Sequence, residues 1–338
     1  MADRLTDVAI PGVEDPYGVR VSDKGNVSWL HGPLEELAAL SFEEEERLER
    51  LTRVCIDDVI SAFGLDGVRR GRVVLESLSR RPARRLAYQV LTYDSIVGEL
   101  GLRAGGAWAL GKLSREARIE GQEDVPRGGP LLLVSNHPGL ADAVAHFAAT
   151  PREDLRVIAA DRPFLDALPN TSRHLLTVAD APGGRSGVVR AAARHLRGGG
   201  TVLTFPGGRI EPDPAVLPGA VEALEFWSSS ADLFARLTPG LAVVPVVVSG
   251  MISPSALRIP LTRLRRRKRD REWLAATLQM LIPALRNVHA RVQFGRPIYA
   301  EPGAHVGDAV TKETRRMMEN GENLRWSASQ RKTDKLKC

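Results

Sequence analysis

The sequence predicts an α/β fold: a mixed, largely parallel sheet flanked by helices and preceded by a helical N-terminal region. Two observations carry this. From Gly121 onward, short apolar runs alternate with amphipathic stretches, as in a parallel sheet with crossover helices. Before Gly121 the apolar residues recur at helical spacing instead.

Residues 1–40 carry scattered glycine and proline with little periodicity and read as an irregular arm. From Phe42 to about Leu113 the pattern is helical. Leu48, Leu51, Val54, Cys55, Val59 and Ile60 share one face, as do Leu86, Val90, Leu91, Ile96 and Leu100. Gly64, Gly67 and Pro82 are expected to break these helices, and Glu43 to Glu46 crowd one helix start, where the dipole favours negative charge. The expected strands are Leu131–Ser135, Leu155–Ala160, Leu175–Ala179, Thr201–Phe205, Val243–Val248 and Ala290–Phe294. Helical patterns fall between them at Ala141–Ala149, Val188–Leu196, Val216–Trp227 and Leu274–Val288. Pro245 interrupts its strand and implies an edge, a bulge or a bend. Lys332 to Cys338 have no apolar period and read as a disordered basic tail. The expected division is 1–120 for the arm and helical region, 121–300 for the α/β domain, and 301–338 for a C-terminal helix and tail.

Composition narrows the function classes. The chain has 338 residues, 43% of them hydrophobic and 26% charged, which excludes a mostly disordered chain and a multispanning membrane protein. The longest apolar run, Leu241 to Val248, is far short of the roughly 18–20 residues that span a bilayer. The first fifteen residues lack the basic and apolar regions of a secretory signal. Two cysteines, Cys55 and Cys338, fit a reducing cytoplasm, give no disulfide framework, and are too few for a cysteine-based metal site. The net charge is +6. Eight basic residues lie between Arg258 and Arg271 against the single acid Asp270, and seven lie between Arg69 and Arg85 against Glu76. Such clusters suit an anionic partner or form a solvated face. Aromatic residues are only 5% and do not interleave with the clusters, so the stacking platform of a nucleic-acid binder is missing and no nucleic acid is expected.

Two segments carry chemistry. In residues 131–143 a buried strand ends in Asn136-His137-Pro138-Gly139, and a helix follows with Asp142 on its first turns. A turn there can bring the Asp142 carboxylate onto the His137 imidazole. The carboxylate then fixes the tautomer and steadies the imidazolium while the other ring nitrogen takes a proton from a nucleophile. The same spacing also fits a surface histidine near a helix-capping aspartate. In residues 201–214 a strand runs into Pro206-Gly207-Gly208-Arg209. Gly207 and Gly208 let backbone amides approach an anion, Arg209 adds a fork of donors, and Glu211 and Asp213 can accept from hydroxyls. A plain strand-to-helix loop has the same composition.

Taken in order, Asn-His-x4-Asp, then Phe-Pro-x-Gly, then the Val244-Pro245-Val246 strand, the chain resembles the glycerolipid acyltransferase superfamily, which contains glycerol-3-phosphate and lysophosphatidate acyltransferases. The resemblance covers about residues 120–300. It implies that His137 is a general base oriented by Asp142, with Asn136 in the same block. Phe205, Pro206 and Gly208 match the phosphate-binding block, and Arg185 matches by position a basic residue that contacts the acceptor phosphate. The family sequence Phe-Pro-Glu-Gly-Thr-Arg departs here: Gly207 stands at the glutamate, Arg209 at the threonine and Ile210 at the arginine. Glu211 or Asp213 could replace the glutamate, and Arg209 the arginine.

The resemblance implies an O-acyltransferase of phospholipid biosynthesis. It would move a fatty acyl chain from acyl-CoA or acyl carrier protein to a hydroxyl of glycerol 3-phosphate or a lysophospholipid. His137 and Asp142 would be catalytic, and Asn136, Arg185, Phe205, Pro206, Gly207, Gly208, Arg209 and Glu211 substrate-binding. The donor thioester would be a co-substrate, with no cofactor and no metal. The run Arg263–Arg271, with Leu264 inside it and Leu261 and Trp273 flanking it, is expected to rest on an anionic membrane surface, which places the protein in the cytoplasm at the inner membrane face. The altered phosphate block leaves an alternative, a non-catalytic lipid- or acyl-carrier-binding module that kept the fold.

Overall fold

In the computed structural model the described residues are 19–21, 26–29, 41–67, 72–178, 184–299 and 305–334, with side chains described in 41–67, 72–178, 185–299 and 305–320. Two strands, β1 (Val19–Val21) and β2 (Asn26–Trp29), lie within the stretch read as an irregular arm.

The helical region follows the expected pattern with one correction. Ser41 caps α1 (Phe42–Phe63): its hydroxyl accepts from the Glu44 amide, and its own amide donates to Glu44 Oε2 at 2.8 Å. Gly64 ends the helix at φ 72°, a left-handed conformation that costs glycine little. The Arg265 guanidinium packs against this turn, leaving no room for a Cβ at Gly64. α2 (Arg72–Leu100) runs unbroken through Pro82, where a break was expected. Proline forfeits one helical hydrogen bond, but packing against α1 holds both halves in line. Ser79, Ala83 and Ala87 are buried around the proline, while Arg80 and Arg84 bond Glu49 and Glu45 on α1. Arg72 likewise pairs with Asp57 and Glu76, so much of this basic cluster is balanced within the helical region. Arg69 and Arg70 lie outside the described residues. α3 (Leu102–Leu113) completes the region.

The sheet takes in β1 and β2 and, still before Gly121, β3 (Glu116–Glu120), whose Ala117 and Ile119 are buried between charged neighbours. Then come β4 (Leu131–Ser135), α4 (Asp142–Ala149), β5 (Leu155–Ala160), α5 (Pro163–Asp166), α6 (Pro169–Ser172), β6 (Leu175–Val178), α7 (Gly184–Arg197), β7 (Thr201–Thr204), α8 (Ala220–Ala223), α9 (Ser230–Leu237), β8 (Ala242–Ser249), α10 (Pro254–Arg258), α11 (Lys268–Leu281), β9 (His289–Phe294), β10 (Ile298–Tyr299) and α12 (Val306–Asp334). The sheet has ten strands in the order β1-β2-β3-β9-β8-β4-β7-β5-β6, with β10 also paired to β8. The block β8-β4-β7-β5-β6 is wholly parallel; β9 runs antiparallel to β8 and parallel to β3, so the sheet is mixed and largely parallel.

β4 is buried on both faces. Leu131 and Leu133 join the core under α3 and α4, whereas Leu132 and Val134 pack with Val188, Ala192 and Leu196 of α7, Phe234 of α9 and Val310 of α12. This explains a continuous apolar run in place of alternation. In β8 the edge away from β4 is shared by two partners: β10 pairs with Ala242 and Val243, and β9 with Val246 to Ser249. Pro245 falls in the gap, where its carbonyl accepts from Gly295 and no partner asks for its missing N–H.

Three expected boundaries are corrected. The helix expected over 216–227 reduces to α8 and one 3-10 turn, Leu224–Phe226. Val216 and Leu217 instead turn back to donate to the Asp213 carbonyl, and Gly219 adopts φ 100°. The helix expected to reach Val288 starts earlier, at Lys268, and stops at Leu281. Ile282, before Pro283, takes an extended conformation, as a residue preceding proline tends to. At the C-terminus α12 continues through Lys332 to Asp334, where a disordered tail was expected; residues 335–338 lie outside the described residues. Among the described residues no helix is long and apolar enough to cross a membrane.

Candidate active site

Because β4 lies between β7 and β8, the loops leaving these three parallel strands meet at one end of the sheet, where ligands collect in folds of this kind. Asn136 extends β4 by one step with its side chain: Nδ2 donates to the Val248 carbonyl at 2.9 Å, and Oδ1 accepts from the Val248 amide at 2.8 Å. Both of its polar groups are thus used within the fold. The chain bends through Pro138 and Gly139 and enters α4 at Asp142. This places Asp142 Oδ2 2.6 Å from His137 Nδ1. The Asp142 side chain is fully buried, whereas that of His137 keeps 29% of its surface exposed. With Nδ1–H donating to the carboxylate, Nε2 is left as a proton acceptor. Burial alone would lower the His137 pKa; the charge and hydrogen bond of Asp142, with the nearby charge of Glu211, outweigh it and raise the pKa above its ordinary value.

The loop after β7 closes over the pair. Phe205 stacks on the His137 ring with centroids 4.7 Å apart and planes 29° apart. Gly208, at φ 60°, closes a tight turn by donating to the Phe205 carbonyl. Pro206 accepts from Ser228 through its carbonyl. Glu211 then returns to the histidine. Its amide donates to the His137 carbonyl at 2.8 Å, its Oε2 accepts the His137 amide at 3.2 Å, and its Oε1 accepts from Trp227 Nε1 at 2.7 Å. Burial raises the Glu211 pKa, with these hydrogen bonds acting in the other direction. A Cβ on Gly207 would collide with Glu211 Oε1, so the glycine and the carboxylate fit together as a unit. Asp213 is buried, and its carboxylate accepts from the amides of Ala215, Gly250, Met251 and Ile252. It ties the loop after β7 to the loop after β8.

Thus the structure brings His137, Asp142, Phe205, Gly207 and Glu211 into one cluster. Arg209 stands exposed beside it, its guanidinium 4.7 Å over the Phe226 ring. Arg185 is exposed on the first turn of α7, and among the described residues no hydrogen bond or ion pair joins it to the cluster; residues 179–183 before it are not described. Two residues were missed from sequence. Trp227 holds Glu211 from a distant turn and left no local signal. His146 lies one helical turn after Asp142, edge-on to Phe205 at 5.6 Å, and its signal was a lone polar residue in an apolar helix. Among the described residues no group of three or more His, Cys, Asp or Glu side chains is arranged to hold a metal ion.

Residues 116–249 match the sequence model of the family described as Acyltransferase. The chain carries an acyltransferase domain. The match spans the His137–Asp142 block, the Phe205–Gly208 block and β8, which are the ordered motifs that pointed to this superfamily. No curated protein sequence matches the chain. Among solved structures, it is similar to the 1-acyl-sn-glycerophosphate acyltransferase PlsC of Thermotoga maritima, at 18% identity and a TM-score of 0.40, covering 81% of this chain and 94% of that one.

Proposed function

We propose that this acyltransferase moves a fatty acyl chain from a coenzyme A or acyl-carrier thioester to a hydroxyl of glycerol 3-phosphate or a lysophospholipid. The observation that carries this reading is the 2.6 Å His137–Asp142 contact at the open end of β4, inside the acyltransferase domain. His137 Nε2 takes the proton of the acceptor hydroxyl, and the oxygen attacks the thioester carbonyl. The tetrahedral oxyanion collapses with cleavage of the C–S bond, and the thiolate leaves with the proton from the imidazolium. An ester and a free thiol result, and the histidine returns neutral. Asp142 holds the ring and balances its transient charge.

The acceptor phosphate binds at the Gly207–Arg209 turn. Arg209 is exposed and free of an ion pair among the described residues, and Arg185 adds a second charge from α7. The enzyme works at the cytoplasmic face of an anionic membrane, supported by the exposed Arg263, Arg266, Arg267 and Arg269 beside exposed Leu261 and Leu264. Arg265 is the member of this run turned inward, with Asp270 at 3.1 Å and Gly64 beneath it.

Incubation with radiolabelled palmitoyl-CoA or palmitoyl-acyl carrier protein, each with glycerol 3-phosphate or 1-acyl-glycerol 3-phosphate, tests the proposal. Labelled ester is expected from the wild type, and His137→Ala is expected to slow its formation by roughly 10²–10⁴-fold. Near-normal turnover by folded His137→Ala would overturn the mechanism. Binding of donor or acceptor without turnover would favour the non-catalytic module.

A further inference from the structure

α4 and its C-cap bury a line of polar groups, of which the steps above use only Asp142. Asp142, His146 and Thr150 follow one another at intervals of four, the spacing that stacks side chains on one helix face. All three are enclosed by the fold. Asp142 Oδ1, both ring nitrogens of His146 and the Thr150 hydroxyl oxygen are shut off from solvent without a hydrogen-bond partner. A buried polar atom left unpaired costs free energy comparable to a lost hydrogen bond, so four in one column call for an account.

Their donor and acceptor inventory closes within the column. A neutral imidazole has one N–H donor and one acceptor nitrogen. Asp142 Oδ1 can only accept, and the Thr150 hydroxyl can donate. Side chains on a helix lean toward its N-terminus, so the His146 ring leans toward Asp142, while Thr150, the C-cap residue, donates its amide to the His146 carbonyl one turn back. Burial, then the charge of His137, pushes the His146 pKa down to about 3, which keeps the ring neutral.

We infer that His146 is a positioning residue for the catalytic pair, giving its N–H to Asp142 Oδ1 and accepting from the Thr150 hydroxyl. Side-chain rotations that bring these atoms within hydrogen-bond distance would complete a chain from Thr150 through His146 and Asp142 to His137. The inference rests on the proposed role of His137 as base. With both oxygens of Asp142 engaged, the carboxylate is fixed and its pull on His137 is moderated, so Nε2 remains unprotonated over more of the neutral range. The charged groups near the pair are few. α3 buries Leu102, Gly105, Gly106, Ala109, Leu110 and Leu113, and β9 offers Ala290, Val292 and Phe294; none of these titrates. The groups that remain are Asp142, His137 itself, and Glu211 with its neighbour Arg209 from the loop after β7.

The test follows the His137 imidazole C–H resonance against pH, together with the pH profile of kcat/KM, in wild type, His146→Phe, His146→Gln and Thr150→Val. Phenylalanine keeps a ring against Phe205 and removes the donor, whereas glutamine restores a donor and an acceptor. His146→Phe is expected to raise the His137 pKa and the acid limb of the profile together, and to lower kcat about tenfold, the scale of one hydrogen bond lost from a charged group. His146→Gln is expected to reverse most of both changes, and Thr150→Val to shift them less and in the same direction as phenylalanine. An unchanged His137 titration in folded His146→Phe, or a glutamine variant no closer to wild type than phenylalanine, overturns the inference. If His137→Ala keeps full transfer activity, the reading of His137 as base falls instead, while the resonance shift still decides the contact.

Discussion

Glu211 and His137 are bonded in both directions: the Glu211 amide donates to the His137 carbonyl, and the Glu211 carboxylate accepts the His137 amide. The turn that carries the histidine is therefore fixed by a residue 74 positions later in the chain. The same carboxylate fills the space that a side chain at Gly207 would need.

That packing predicts a compensating pair. Gly207→Glu alone should lose most activity, because the new side chain displaces Glu211 from His137 and Trp227. Glu211→Ala should lower kcat and cost about 1–3 kcal/mol of stability by leaving the His137 amide and the Trp227 N–H unpaired. The double variant should recover part of the activity lost in each single one, giving a coupling energy in a double-mutant cycle. Strict additivity would show that Gly207 and Glu211 do not share one space.

The raised His137 pKa fixes the sign of two pH effects. As a base, His137 must be unprotonated, so the acid limb of kcat/KM should lie above the ordinary value of 6.5. Asp142→Asn should move that limb to lower pH while reducing turnover. For stability, a raised histidine pKa contributes fully below the unfolded value and is lost as pH rises through the folded one. The difference in Tm between wild type and Asp142→Asn should therefore shrink as pH rises above the ordinary histidine value of 6.5. A difference that grows over this range contradicts the ion pair.

Arg286 knits the helical N-terminal region to α11. It donates to Gln89 Oε1 at 3.1 Å, to the Lys112 carbonyl at 3.3 Å and to the carbonyls of Gln279 and Met280, joining α2 with the ends of α3 and α11. Burial, and then the charge of Arg85, lowers its pKa to about 10, so it remains charged at neutral pH. Arg286→Leu should cost about 2–3 kcal/mol in urea unfolding, because several buried carbonyls lose their donor. Arg286→Lys should recover only a fraction, since an ammonium lacks the fork geometry.

The basic run should separate by the direction each side chain takes. Reversal of Arg263, Arg266 and Arg267 to glutamate should abolish cosedimentation with anionic vesicles at unchanged Tm, given about 1 kcal/mol per basic residue near such a surface. Arg265→Glu should instead lower Tm, because its guanidinium is committed to Asp270 and the end of α1. Vesicle binding unaffected by the triple reversal would remove the membrane role from this surface.

What the sequence determined by itself was local. The apolar runs at Leu131–Ser135 and Thr201–Phe205 and the helical face of Leu48 to Ile60 are read from period alone, because burial on both faces or on one stripe leaves that imprint. The His-x4-Asp block was legible because one tight turn joins its two residues. β3 stayed hidden since only Ala117 and Ile119 mark it between charges, and Pro82 misled because the packing that carries α2 through it comes from α1. The tertiary structure alone decided that Glu211 supports His137, that Gly207 must be a glycine to admit it, that Asn136 completes the ladder to Val248, and that Arg265 faces inward. Apart from the fit of Gly207 to Glu211 within one loop, these are contacts between segments far apart in sequence. Such contacts leave no period in either segment, because the parallel order β8-β4-β7 brings the segments together only after the chain has crossed the sheet several times.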